Sequence, residues 1–197
     1  MLLDITLGTR TSWKILLVLS EAPGKAVSRK EIKALTKLGN KVLSKFLLLL
    51  ECSEVITSNK LGKAYYYKLN MNNKFVEKIL ELIKLEKYHL NSQDFVILNI
   101  LRDFVYELTN LNLDNLERVI LFGSYAKRTY TNNSDVDIAI ILKEKSPDYE
   151  LLVIDITDRL KKRYKKVIQP HYYTSEEFKE IKNNLVKDII KDGIILF

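Results

Sequence analysis

The chain has 197 residues, 47% hydrophobic and 29% charged, with a net charge of +7 from 32 Lys/Arg and 25 Asp/Glu. That balance excludes a disordered chain, and six Gly with three Pro exclude a collagenous or linker-rich one. A single cysteine, Cys52, excludes an internal disulfide and points to a reducing compartment.

The length allows one large domain or two small ones. No run reaches the roughly 18 apolar residues of a bilayer span, the densest being Phe46 to Leu50. Met1-Leu-Leu-Asp-Ile lacks the basic flank and cleavage site of a signal peptide, so the expectation is a soluble, cytoplasmic protein without membrane partners. The charge is uneven: residues 1–90 carry 16 Lys/Arg against 8 Asp/Glu, and residues 91–197 carry 16 against 17. A basic half beside a near-neutral half suggests two domains, and phosphate backbones are the commonest partner of such a field. A lysine-rich solvated surface is the plainer alternative.

From Thr11, the spacing of Trp13, Leu16, Leu17 and Leu19 predicts an amphipathic helix stopped by Ala22-Pro23-Gly24. Ser28 then caps a second helix, with Glu31 at capping-box spacing and Ile32 and Leu35 facing inward. A Gly39-Asn40 turn leads into a third helix to about Cys52, in which Leu47 to Leu50 read as core. Val55–Thr57, a polar turn over Ser58–Lys63 and Ala64–Leu69 read as a β-hairpin.

Three helices followed by a hairpin resemble the winged helix-turn-helix family, in which the third helix enters the major groove of double-stranded DNA. The resemblance implies that Asn40, Lys41, Ser44 and Lys45 face DNA. It implies phosphate contacts from Arg29, Lys30 and Lys33 on the second helix and from Lys60 and Lys63 in the wing. The same small fold also serves as a protein-interaction module.

Asn72 or Asn73 caps a joining helix to about Tyr88, with Phe75, Val76, Ile79, Leu80, Leu82 and Ile83 as its apolar stripe. Such a helix is core or pairs with its copy in a homodimer. Asn91-Ser92-Gln93-Asp94 starts another helix, to about Leu108. The expected domains are therefore 1–72, a connecting helix 73–90, and 91–197.

The second half reads as α+β. Arg118–Phe122 is a strand ending at Gly123-Ser124, a helical stretch covers Tyr125–Tyr130, and Thr131–Ser134 is a polar turn before the strand Asp135–Leu142. Strand alternation sets Asp135 and Asp137 on one side. Two like charges so close cost energy unless a cation lies between them, and Mg²⁺ favours one or two carboxylates with phosphate oxygens. Gly123 lets the backbone approach a phosphate, and Ser124 adds a hydroxyl and an N–H at a helix start.

A hydrophobic strand, Gly123-Ser124, ten residues, Asp135-Val136-Asp137 and a second strand look like the signature of the nucleotidyltransferase superfamily that includes DNA polymerase β. The nearest resemblance is to its minimal, antitoxin-like branch. This implies a small mixed sheet with flanking helices, an NTP such as ATP held through Gly123 and Ser124, and Mg²⁺ or Mn²⁺ held by Asp135 and Asp137. It implies transfer of NMP to an acceptor hydroxyl, with Lys127 and Arg128 near the triphosphate. Two departures stand out. Arg128 occupies the place of a second glycine, and the third carboxylate falls on Gln169 in the strand Val167–Tyr173, before a Thr174-Ser175 helix cap. Glutamine cannot act as a general base. Asp155 and Asp158 read as surface residues on a helix over Tyr149–Tyr164, and Trp13, Cys52 and His89 as structural. The alternatives are a DNA-binding regulator, or an antitoxin-like partner of a toxin-like protein, whose second domain binds nucleotide or a partner with little or no turnover.

Overall fold

The computed structural model describes residues 10–91, 93–180 and 183–197. Met1–Ile5, and the Ser92 part of the expected helix start, lie outside the described residues. The chain divides into two compact units, Leu3–Tyr88 and His89–Phe197.

In the first unit, helix α1 (Arg10–Ser20) buries Trp13 and Ile15 through Leu19, and the turn at Pro23-Gly24 follows. A two-residue strand β1 (Val27–Ser28) leads into α2 (Arg29–Thr36), where the Ser28 hydroxyl accepts the Glu31 N–H at 3.2 Å. Helix α3 (Asn40–Cys52) begins after Gly39. Strands β2 (Ile56–Leu61) and β3 (Ala64–Leu69) form an antiparallel hairpin, and β1 pairs with β3 to give the order β1-β3-β2. Helix α4 (Lys74–His89) follows, its first turn held by the Asn73 side chain, which accepts the Phe75 N–H at 2.9 Å. Buried Glu86 of α4 accepts the Trp13 indole N–H at 2.9 Å, so the indole has its polar partner inside the core.

Several side chains lie elsewhere than the periodicity suggests. Leu35 is exposed, because α2 turns Ile32 and Thr36, four residues apart, toward the core. In α3 only Leu43, Leu47 and Leu50 are buried; Leu48 and Leu49 are 61% and 49% exposed. A unit this small covers one stripe of the helix, and a run of four leucines overflows it. Phe75 and Leu82 of α4 are exposed for the same reason, while Val76 and Ile83 are buried. The hairpin turn is shorter than Ser58–Lys63. Leu61 pairs with Ala64, leaving Gly62-Lys63 as a two-residue loop with Gly62 at φ +61°, and Lys60 within the strand.

The second unit opens with α5 (Phe95–Leu111), where Asp94 accepts the Ile97 N–H at 2.9 Å. Then come β4 (Leu116–Leu121), α6 (Gly123–Lys127), β5 (Val136–Leu142), α7 (Pro147–Tyr164), β6 (Ile168–Thr174), α8 (Ser175–Lys179), α9 (Asn184–Asp192) and β7 (Ile194–Ile195). The sheet order is β6-β5-β4-β7, with β5 and β6 parallel and the other pairs antiparallel. This is the mixed α+β architecture the sequence implies.

Alternation along β5 separates Val136, Ile138 and Ile140 from Asp137, Ala139 and Ile141. Ala139 and Ile141 join Ile120, Phe122 and Ile189 of α9 in one buried cluster. The Asp137 carboxylate therefore stands on the α9 face of the sheet, beyond the end of that cluster. Two details depart from expectation. The helix after Gly123-Ser124 ends at Lys127, because Arg128 turns left-handed and the Thr129 N–H returns to the Ser124 carbonyl at 2.9 Å. Thr174 does cap a helix, with a full capping box to Glu177, but that helix spans five residues and is followed by α9 and β7. No helix among the described residues is long and apolar enough to cross a membrane.

Candidate active site

The site grows from the junction of β4 and β5. The Phe122 N–H donates to the Asp137 carbonyl at 3.0 Å, the last rung before the chain leaves the sheet at Gly123. Gly123 has φ +70°, a conformation that costs any residue with a Cβ. A Cβ there would also lie 2.3 Å from Asp137 Oδ2 and 3.0 Å from its Cγ. Glycine is thus required twice, for its dihedral and for the space that the Asp137 carboxylate fills. The sequence explains this glycine by close approach of a phosphate to the backbone; the structure adds the packing of the Asp137 carboxylate against it.

Asp135 enters from a tight turn in which the Ser134 hydroxyl accepts the Thr131 N–H at 2.9 Å. Asp135 is exposed and Asp137 half-buried. Burial pushes the Asp137 carboxyl above its ordinary range; the nearby His171 opposes that rise and the charge of Asp135 adds to it. Among the described residues no side chain hydrogen-bonds or ion-pairs with either carboxylate, and no group of three or more acidic, histidine or cysteine side chains could hold a metal. Two hard oxygen ligands, repelling one another and without a protein cation, fit an ion that completes its shell with substrate oxygens and water.

The parallel register sets Gln169 directly opposite Asp137 and His171 opposite Ala139, so both share the face of Asp137. Gln169 is exposed, and the His171 ring meets Phe122 edge-on at 5.1 Å. No carboxylate of β6 accompanies the Asp pair.

The other sequence candidates are placed as follows. The Ser124 hydroxyl is half-buried at the start of α6. Lys127 is drawn to α9, where it pairs with Asp192 at 3.3 Å and Asp188 at 3.5 Å, contacts that hold its ammonium proton more tightly. Arg128 is exposed and sits at φ +57°, in the place where glycine would be at ease. Arg128→Gly is therefore expected to raise folding stability by about 1 kcal/mol, read as a higher urea midpoint at unchanged m-value; a lower midpoint would contradict this reading.

In the first unit Lys30, Lys33, Asn40, Lys41, Ser44, Lys45, Lys60 and Lys63 are all exposed. Arg29 is half-buried: its guanidinium donates to the Ser44 hydroxyl at 2.7 Å and the Asn40 carbonyl at 3.3 Å. Three of the DNA-facing candidates thus engage one another, tying α2 to α3. Lys60 lies over the Tyr65 ring at 5.7 Å.

One feature was missed altogether. Residues 159–166 hold six Lys/Arg in eight positions, hidden because the charge of the second half sums to nearly zero. A sliding window of charge would have found it.

A strand, a Gly-Ser loop, a one-turn helix and two aspartates at the start of the adjoining strand make up the candidate site, and comparison with known proteins gives the class of the unit that carries it. The family model described as "Polymerase beta, Nucleotidyltransferase" matches residues 105–197, within the second unit, and the chain belongs to this family. Two proteins of Methanocaldococcus jannaschii are similar to it. "Putative protein adenylyltransferase MJ0141" is 34% identical over 99 residues, 50% of this chain and 96% of that protein. Its counterpart MJ0604 is 33% identical over 98 residues, 49% of this chain and 94% of that protein. Among solved structures, a toxin–antitoxin with AMP-PNP shows a distant likeness, 20% identical over 48% of this chain and 70% of that chain, at a TM-score of 0.35.

Proposed function

We propose that the second unit transfers a nucleotidyl group from an NTP to an acceptor hydroxyl. The observation that carries this reading is the half-buried Asp137 carboxylate, without a side-chain partner among the described residues and seated against Gly123, with Asp135 two residues earlier, just before β5. Asp135 and Asp137 would hold Mg²⁺ or Mn²⁺, which supplies Lewis-acid neutralisation of phosphoryl oxygens when bound. Gly123 and Ser124 would bind the polyphosphate through backbone N–H and hydroxyl groups, and Arg128 would face it as a cation. The two adenylyltransferase relatives favour ATP as the donor. The acceptor oxygen attacks the α-phosphorus in line, the bond to the β-phosphate oxygen breaks, and pyrophosphate leaves. Incubation with α-labelled ATP, Mg²⁺ and candidate acceptors should transfer label with the wild type and not with Asp135→Ala; equal labelling by both would remove this reading.

A second reading, nucleotide binding with little turnover, is favoured by the Asp137–Gln169 register. Without a carboxylate there, no general base of β6 meets the acceptor proton at that position. Gln169→Asp is then expected to raise the transfer rate by about 10²-fold, the lower end of what general-base catalysis supplies. An unchanged rate would show that the site does not need a base at this position.

The first unit is proposed as a winged helix-turn-helix that binds double-stranded DNA. Helix α3 would enter the major groove and the β2–β3 hairpin would lie along the backbone, supported by the exposed lysines on both. Lys41→Ala/Lys45→Ala should lower the log–log salt slope of duplex binding by about 2, since each phosphate that a lysine no longer neutralises takes roughly 0.9 from it. A slope unchanged in this variant would count against the assignment.

A further inference from the structure

The basic run 159–166 closes α7 and enters the loop to β6. Two of its members are neutralised: Arg159 pairs with Glu107 at 3.1 Å and Arg163 with Asp103 at 3.0 Å. Lys161, Lys162 and Lys165 are exposed, and among the described residues no acid pairs with them. Cations at a helix C-terminus answer its dipole, which accounts for a lysine or two in the last turn. It does not account for Lys165, held at φ +58° where glycine is ordinary, nor for Lys166 beyond the helix.

Beside this run lies a cavity of about 380 Å³ whose walls include Phe95, Tyr125, Tyr130, Tyr164, Asn132 and Lys166. Its rings are held in place. Tyr130 stacks on Tyr125 with centroids 4.3 Å apart and 15° between planes, and the Tyr164 hydroxyl donates to Asp103 at 2.6 Å. The Lys166 ammonium lies 5.5 Å from the Tyr125 ring centre and donates to the Asn132 carbonyl at 2.7 Å. Cavity and carboxylates share one end of the sheet, since Asn132 belongs to the turn that delivers Asp135 and the Val136 N–H donates to the Val167 carbonyl at 3.0 Å.

The chemistry of this surface selects among ligands. A free nucleotide needs one cation cluster, not a row of lysines. An acidic peptide would match the lysines but has no use for fixed aromatic walls. Duplex DNA keeps its bases stacked on one another. A single strand offers both a run of phosphates and unpaired bases that stack on aromatic rings. We propose that the second unit carries a binding site for single-stranded nucleic acid, with phosphates along Lys161, Lys162, Lys165 and Lys166 and one base in the aromatic cavity. This goes beyond nucleotidyl transfer and stands without it, because binding needs neither aspartate.

The test is fluorescence anisotropy of a short labelled oligouridine with the full chain across a salt series. Lys161→Ala/Lys162→Ala/Lys165→Ala should bind at least about tenfold more weakly at roughly 0.1 M salt, with a log–log slope smaller by about 2, near 0.7 per phosphate of a single strand. Asp135→Ala/Asp137→Ala should bind at least as tightly as wild type, which separates this site from catalysis. Photo-crosslinking of a 4-thiouridine oligonucleotide should label peptides containing Tyr130 or Tyr164. Unchanged affinity in the triple variant would overturn the proposal, as would crosslinks confined to residues 10–88. Tighter binding of polyglutamate than of oligouridine would overturn it in favour of an acidic protein partner.

Discussion

Asp137→Asn is expected to make the metal-free protein more resistant to heat at neutral pH while lowering nucleotidyl transfer by about a thousandfold. The two effects share one cause. Burial raises the proton affinity of Asp137, with His171 opposing and Asp135 reinforcing the rise, and among the described residues no side-chain donor compensates the charge. A carboxyl whose folded pKa lies above its unfolded value favours folding below that unfolded value, about pH 4, and this contribution disappears as pH rises through the folded pKa. At neutral pH the ionised group is therefore a burden that asparagine removes. For catalysis the same charge is indispensable, because several kcal/mol of charge stabilisation by a bound ion correspond to about 10³ in rate. Thermal melts in chelator across pH should show the wild type losing stability relative to Asp137→Asn as pH climbs from about 4. A variant less stable than wild type at every pH would mean that the carboxylate is a structural anchor.

Gly123→Ala should abolish detectable transfer and cost about 2 kcal/mol of stability. The left-handed φ of +70° costs any non-glycine residue about 1–2 kcal/mol. The new methyl group would sit 2.3 Å from Asp137 Oδ2, so the carboxylate must swing away from the position the site gives it. Displacement of this size misaligns the reacting atoms, worth about 10² in rate or more. Urea melts measure the first effect and single-turnover transfer the second. Full activity with a stability loss would separate the glycine from the chemistry.

The architecture of the second unit was legible because each of its signals is local. Gly123-Ser124 and Asp135-Val136-Asp137 lie within one β-turn-β stretch, and alternation alone sets the two acids on one face. Counting back from the Thr174 cap puts the third acid position on Gln169, and the register sets that residue opposite Asp137. The role of Gly123 was read only in half, since the packing of Asp137 against it is a tertiary contact that no spacing reveals. Lys127 illustrates the same limit: position in the loop says nothing of Asp188 and Asp192, some sixty residues on, which draw it to α9. Leu35, Leu48 and Leu49 failed as core residues because hydrophobicity reports what could be buried, while the size of the unit decides how much is. The aromatic cavity is assembled from α5, α6, the loop from α6 to β5, the end of α7 and the loop that follows it, segments with no common sequence signature.

The proposed chemistry requires Asp135 and Asp137 together to grip a divalent ion against a polyphosphate. Isothermal titration of the full chain with a non-hydrolysable ATP analogue, with and without Mg²⁺, tests it most directly. Wild type should bind the analogue in a strongly Mg²⁺-dependent manner, and Asp135→Ala/Asp137→Ala should lose that dependence. Identical isotherms for the two proteins, or binding indifferent to Mg²⁺, would contradict it.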